Sequence, residues 1–290
     1  MGLRLKFNLV LLAVFVTGLG VTGYVSYELL HRNAREEVLR NAGVMMEAAL
    51  SMRSYTVGQV RPNLAVDPDK FLPQSVPAFG ATEIMTLLRK KYPDYAYKEA
   101  ALNPTNPRNR AVEWENDIVN TFRNDPAQTE ISGMRDTPTG RSLYLARPFQ
   151  IKDPACLSCH TNAEMAPASM VKIYGPNNGF GWKLNEVIGA QIVSVPMNLP
   201  IRNANHAFVT FMSSLTVVFA VLFVLLNMML TMLIVQPITQ LSEAADQISK
   251  GKLNIAELPA SGKDEVSQLG QAFNRMRRSL EKAISLIDKG

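Results

Sequence analysis

The chain has 290 residues, of which 47% are hydrophobic and only 19% charged, and its net charge is +5. This is slightly apolar for a soluble protein. The mild charge and the lack of a dense Lys/Arg tract give nucleic-acid binding no support. Most of the apolar excess sits in two blocks that divide the chain.

The first block, residues 7–27 (FNLVLLAVFVTGLGVTGYVSY), has no charged residue and follows Arg4 and Lys6. About 20 apolar residues are enough to cross a bilayer as a helix. The rival reading is a cleaved signal peptide, but the run is long for a signal core and no small-x-small cleavage site follows it. Residues 7–30 are therefore expected to be an uncleaved transmembrane helix preceded by a short N-terminus, 1–6.

Residues 33–62 place Val38, Ala42, Met45, Ala49 and Met52 at helical intervals, which predicts an amphipathic helix ending before Pro62. A proline-rich loop with Phe71, Pro73, Val76 and Pro77 follows, then a helix over 81–91. The loop ALNPTNPRNR leads into a helix over 111–124. The segments 141–149 (RSLYLARPF) and 186–196 (EVIGAQIVSVP) have the β-branched and apolar enrichment of strands. Residues 31–206 are thus read as one α+β domain, large enough for a core of its own.

Within that domain, DPACLSCHTN holds the only two cysteines of the chain, Cys156 and Cys159, followed directly by His160. C-x-x-C-H is the attachment signature of c-type haem: two thiols for the porphyrin vinyl groups and an axial nitrogen for the iron. A redox disulfide and a zinc site are the other readings. The first usually sits at a strand-to-helix turn of a βαβ unit, which the sequence does not show. The second needs further ligands, and the other histidines, His31 and His206, flank the apolar blocks. The glycine-rich YGPNNGFGW, residues 174–182, reads either as a plain packed turn, the commoner case, or as a wall beside the haem.

The second apolar block, residues 208–235, is longer and uncharged, with scattered polar residues such as Asn227. It is read as a transmembrane helix, residues 207–235. Past it, Ile238, Leu241, Ala245 and Ile248 form one helical stripe closed by Gly251. A connector with Leu253, Ile255 and Leu258 follows. Asp264 and Glu265 then open a second helix, with Val266, Leu269, Phe273, Met276 and Leu280 on an a/d seam. The exit proline Pro237, the two amphipathic helices, the glycine stop and the Asp-Glu pair together resemble the HAMP linker of bacterial sensor proteins. That resemblance implies a cytoplasmic HAMP domain over 236–290 and a homodimer through a parallel four-helix bundle. It also implies an inner-membrane chain with 31–206 in the periplasm. The positive-inside count alone does not settle orientation: Arg4 and Lys6 stand against Arg32, Arg35 and Arg40.

Five segments of the domain, RSYTVGQVRP, YKEAALNPTNPRNRA, LARPFQI with CLSCH, APASMVKIYGPNNGFGW and VIGAQIVSVP, resemble a family of periplasmic c-type haem sensor domains with a PAS-like α/β fold. The resemblance implies Cys156, Cys159 and His160 as haem-binding residues, with His160 on the iron. In some members a cysteine takes the sixth position, but this chain has no third cysteine. Met45, Met46 and Met52 are the substitutes considered, Met52 first, against the commoner fate of helical methionines as core packing. An open position for a diatomic gas is the other expectation.

The expected function is a membrane sensor that detects redox state or a small gas and passes the signal to HAMP. Since the sequence ends at Gly290, a separate cytoplasmic protein is expected to carry the output. The alternative is a membrane-anchored electron-transfer cytochrome. No nucleophile–base set or phosphoryl-transfer motif is present, so no enzyme activity is expected.

Overall fold

The computed structural model describes residues 2–64, 70–252 and 254–287. The connector's Leu253 lies outside these. The chain divides into two units, Glu28–Ala207 and the combination of Met1–Tyr27 with Phe208–Gly290.

The first unit is built on a four-stranded antiparallel sheet. In chain order its strands are β1 (Ala96–Ala101), β2 (Ile131–Thr137), β3 (Gly140–Gln150) and β4 (Val187–Pro196), and their order in space is β1-β4-β3-β2. Period-two alternation gives the sheet two apolar faces. On one face Leu143, Leu145, Val193 and Val195 pack with Val38, Ala42, Met46 and Ala49 of the long helix α1 (Leu3–Tyr55) and with Met85 of α2 (Pro77–Lys91). On the other face Ile118, Val119 and Phe122 of α3 (Glu113–Asn124) cover Ala100, Ala146, Ala190 and Ile192. Three alanines make room for one phenylalanine, the large-against-small fit that close packing requires. The fold class is the α+β arrangement the sequence predicts. The fully buried methionine of α1 is Met46, while Met45 only packs at the edge of the cluster.

Two strands escape the sequence reading for identifiable reasons. β1 (AYKEAA) is poor in β-branched residues, yet six residue pairs with β4 hold it in place, Ala96 opposite Ser194 through Ala101 opposite Gly189. β2 (ISGMRDT) is an edge strand whose exposure alternates strictly, so its sequence is half polar.

α1 does not stop cleanly at Pro62. It widens into a π turn at Thr56–Val60 and tightens into a 3₁₀ turn at Arg61–Asn63. Thr56 is fully buried and its hydroxyl donates to the Met52 carbonyl at 2.9 Å. Gly80 of α2 fits against this turn with no room to spare: a Cβ there would lie 2.9 Å from the Thr56 Oγ1 and 3.1 Å from the Met52 Cε.

In the second unit, the apolar start of α1 lies beside α6 (Asn198–Leu230), with Phe15 stacked on Phe219 at 4.8 Å and Tyr27 edge-on to Phe208 at 5.6 Å. Both helices contain stretches long and apolar enough to cross a membrane, with mean hydropathy 2.0 and 2.7, and almost none of either stretch is buried. A π turn at Thr231–Val235 joins α6 to α7 (Gln236–Ser249). Its cause is Pro237, which has no N–H for the carbonyl one turn back. α7 closes at Gly251, whose φ of 83° is open to glycine at little cost. α8 (Glu265–Ile287) starts on Asp264, which accepts from the Ser267 amide at 2.7 Å. The connector is tied to α8 by side-chain amides: Asn274 exchanges hydrogen bonds with both backbone groups of Leu258, at 3.1 and 2.9 Å, and Gln271 donates to the Ala260 carbonyl at 2.9 Å. Leu269, Met276 and Leu280 remain exposed. In α7 the buried residue is Ala244 and not Ala245.

Candidate functional site

Cys156, Cys159 and His160 lie on one continuous helical turn. Asp153 caps it by accepting from the Ala155 amide at 2.9 Å, and Pro154 starts a 3₁₀ turn, Pro154–Cys156, that runs into α4 (Leu157–His160). Positions i, i+3 and i+4 of such a turn share a face, which explains the spacing. Both cysteines are free thiols, half-exposed. Burial, and then the nearby Asp153 carboxylate, push the Cys156 thiol above its ordinary value, so it is a thiol and not a thiolate at neutral pH.

The three side chains line a single cavity of about 1000 Å³. This is at the upper end of the roughly 300–1,000 Å³ range of ligand pockets. Its walls are mostly apolar, among them Val57, Leu72, Phe79, Phe149, Ile151, Met170 and Ile188. Charged side chains also line it: Arg53, Arg61, Lys70, Arg108 and Lys152, against Glu99 and Asp153. The arrangement suits a large flat apolar group that carries carboxylates.

His160 is held on two sides. Its ring stacks on Trp182, with centroids 3.8 Å apart and planes 17° apart. Its Nδ1 lies 2.7 Å from the Gly179 carbonyl, with the Thr105 hydroxyl further off at 3.4 Å. A carbonyl can only accept, so Nδ1 carries the proton and donates it. Burial holds the imidazole below its ordinary pKa and hence neutral at pH 7. In that tautomer the lone pair is on Nε2, the state in which a histidine binds a metal and its second nitrogen is oriented by a carbonyl. Among the described residues no group of three or more His, Cys, Asp or Glu side chains could hold a metal ion by itself.

The glycine-rich turn is part of the site. Gly179 has φ 83°, and a Cβ there would overlap the Thr105 hydroxyl, so only glycine brings this carbonyl to His160. The turn docks on the asparagine-rich loop: the Gly179 amide donates to Asn103 Oδ1 at 3.2 Å, and Arg110 donates to Asn178 Oδ1 at 2.8 Å. Sequence offers the 174–182 turn as a wall but singles out neither Gly179 nor Trp182 within it, and gives Asn103 and Thr105 no role. Of the two readings of 174–182, the structure has the wall of the site.

The sixth-position expectations fare differently. Met46 is buried in the core, Met45 and Met52 pack half-buried against it, and none of the three lines the cavity. Met52 lies against Gly80 of α2 instead, its Cε 3.1 Å from where a Cβ of that glycine would be. Met165 and Met170 are the methionines on the cavity wall. His31 and His206 are not among its lining residues.

All five segments quoted for the family resemblance contribute to this cavity. Residues 31–196 match the Tll0287-like family, and the chain belongs to it. Residues 229–282 match the HAMP domain. A sensor-type domain joined to HAMP, with two long apolar helices, defines a membrane-anchored signalling chain. Among solved structures, the crystal structure of the cyanobacterial heme-protein Tll0287 is similar at 15% identity, with a TM-score of 0.44, over 55% of this chain and 95% of that one. A comparison with curated proteins gives no match.

Proposed function

We propose that the chain is a signal-transduction sensor whose domain, residues 31–206, holds a covalently attached c-type haem in the periplasm. The transmembrane helices at 7–30 and 207–235 flank it, and the HAMP domain, 236–290, carries the signal to a separate cytoplasmic partner. The observation that carries this reading is the convergence of two free thiols and an oriented neutral imidazole on one apolar cavity.

Cys156 and Cys159 are the residues that would hold the porphyrin. Each thiol would hold it by a thioether bond to a vinyl group. His160 Nε2 would hold the iron, with the Gly179 carbonyl and the Trp182 ring fixing the direction of the imidazole. Iron bound there would supply the redox change or the site for a diatomic ligand. Exposed seam residues Leu269, Met276 and Leu280 suit a homodimer, since two amphipathic helices cannot bury their seams alone.

The test is to express the full chain with a cytochrome c maturation system and measure haem by pyridine haemochrome and intact mass. The expected result is about one haem per chain, lost in the Cys156→Ser, Cys159→Ser double variant. A colourless protein alongside a working control sinks the reading. Removing residues 236–290 separates the sensor from an electron carrier: the sensor loses its downstream response and keeps its spectrum, whereas a carrier keeps its electron-transfer rate.

A further inference from the structure

The cavity wall contains a cation with unused hydrogen-bonding capacity. Arg53, in the last turn of α1, gives Nη1 to both oxygens of Glu99, at 2.7 and 2.6 Å. Glu99 is 1% exposed and also accepts from the Tyr97 hydroxyl at 2.8 Å. The guanidinium lies over the Phe149 ring, 4.7 Å from its centroid. These contacts fix the group in place. Both bonds to Glu99 use Nη1, and among the described residues Nη2 and Nε have no hydrogen-bond partner.

Arg53, Glu99 and Phe149 all line the cavity. A guanidinium presents its donors as a rigid fork that matches a carboxylate or similar anion. In an apolar cavity such a charge-assisted pair is stronger than in water. With Arg53 and Glu99 cancelling, Arg61, Lys70, Arg108 and Lys152 still outnumber Asp153 on the wall, so the cavity keeps a positive surplus.

We propose that the free fork edge of Arg53 is an anion subsite that takes a carboxylate or a comparable small anion. The anion is either a carboxylate of the porphyrin or a free anion entering the cavity. Only the first source rests on the haem reading above.

The test compares the full chain with Arg53→Lys, which keeps a cation for Glu99 and loses the second edge. One arm is calorimetric titration of the chemically reduced protein with sodium azide, which ferrous haem does not bind and which needs no colour. The other is the resonance Raman propionate bending mode of the haem-loaded protein. Azide affinity at least tenfold weaker in Arg53→Lys supports a free anion at Arg53. Unchanged azide binding with a shifted propionate mode supports the porphyrin carboxylate. No change in either arm overturns the subsite and leaves Arg53 as the partner of Glu99 only. A colourless protein with Arg53-dependent azide binding keeps the subsite and fails the haem reading; a colourless protein without it overturns both. Should Arg53→Lys not fold, the unsubstituted chain is compared with Arg53→Met/Glu99→Gln, which removes both charges together and leaves neither one unpaired.

Discussion

Gly179→Ala perturbs the support of His160 without touching the imidazole. The new methyl would overlap Thr105 Oγ1 and lie 2.7 Å from Thr105 Cα, and the backbone stays at φ 83°. The conformational strain of a side chain there is about 1–3 kcal/mol. Overpacking against a neighbour costs about 1–3 kcal/mol more. A total of about 3 kcal/mol corresponds to roughly a hundredfold in an opening equilibrium. The relief is local, because the turn is tied down by a few bonds, such as Gly179 to Asn103 Oδ1 at 3.2 Å and Asn103 to the Phe180 carbonyl at 3.3 Å. Amide hydrogen exchange resolved by peptide reads this directly. The Gly181 and Trp182 amides, bonded to Thr161 and His160 carbonyls at 3.0 and 3.3 Å, should exchange about a hundredfold faster, with β3 and β4 unchanged. Gly175→Ala is the internal comparison. Its φ is 85° but nothing lies within 4 Å of a Cβ, so only the strain remains and the acceleration should be about tenfold. Equal effects of the two substitutions, or acceleration spread over the whole sheet, would refute the close approach as the cause.

Phe122→Ala should cost about 3–5 kcal/mol, since the ring is 1% exposed and the alanines beneath it cannot close the gap. Thermal melts followed by fluorescence, with Trp114 packed on the same cluster, should show a Tm lower by about 10 °C. Asp264 is held below its ordinary carboxylate value chiefly by the Ser267 amide. A lowered folded-state pKa means its support of α8 is present above the unfolded carboxylate range and is lost as pH falls through the folded value. Exchange protection of the first turn of α8 should therefore fall on acidification below about pH 4, the unfolded aspartate value, and Asp264→Asn, which still caps, should abolish that dependence.

What the sequence shows depends on how local the cause is. The C-x-x-C-H spacing is a property of one helical turn, and the apolar blocks are a property of composition, so both are visible without the fold. Gly179 and Thr105 are 74 residues apart and meet only because the turn docks on the loop after β1. No spacing rule carries that. β1 itself is a strand only because β4 pairs with it. Met52 has a helical period that sequence can read, but its neighbour, Gly80 of α2, is 28 residues away and is set by packing that periodicity does not carry.

The site segment leaves the sheet at the end of β3 and returns at the start of β4. It is pinched at its base: the Ile151 amide donates to the Glu186 carbonyl at 2.9 Å, and the Asn185 amide to the Ile151 carbonyl at 2.7 Å. Loop closure is already achieved at that neck, and the free energy of closure grows only slowly with what lies beyond it. Residues 152–184 can therefore lengthen, shorten or exchange their ligands while the neighbouring strands keep their register. A lineage built on this scaffold is free to retune its chemistry without renegotiating its architecture.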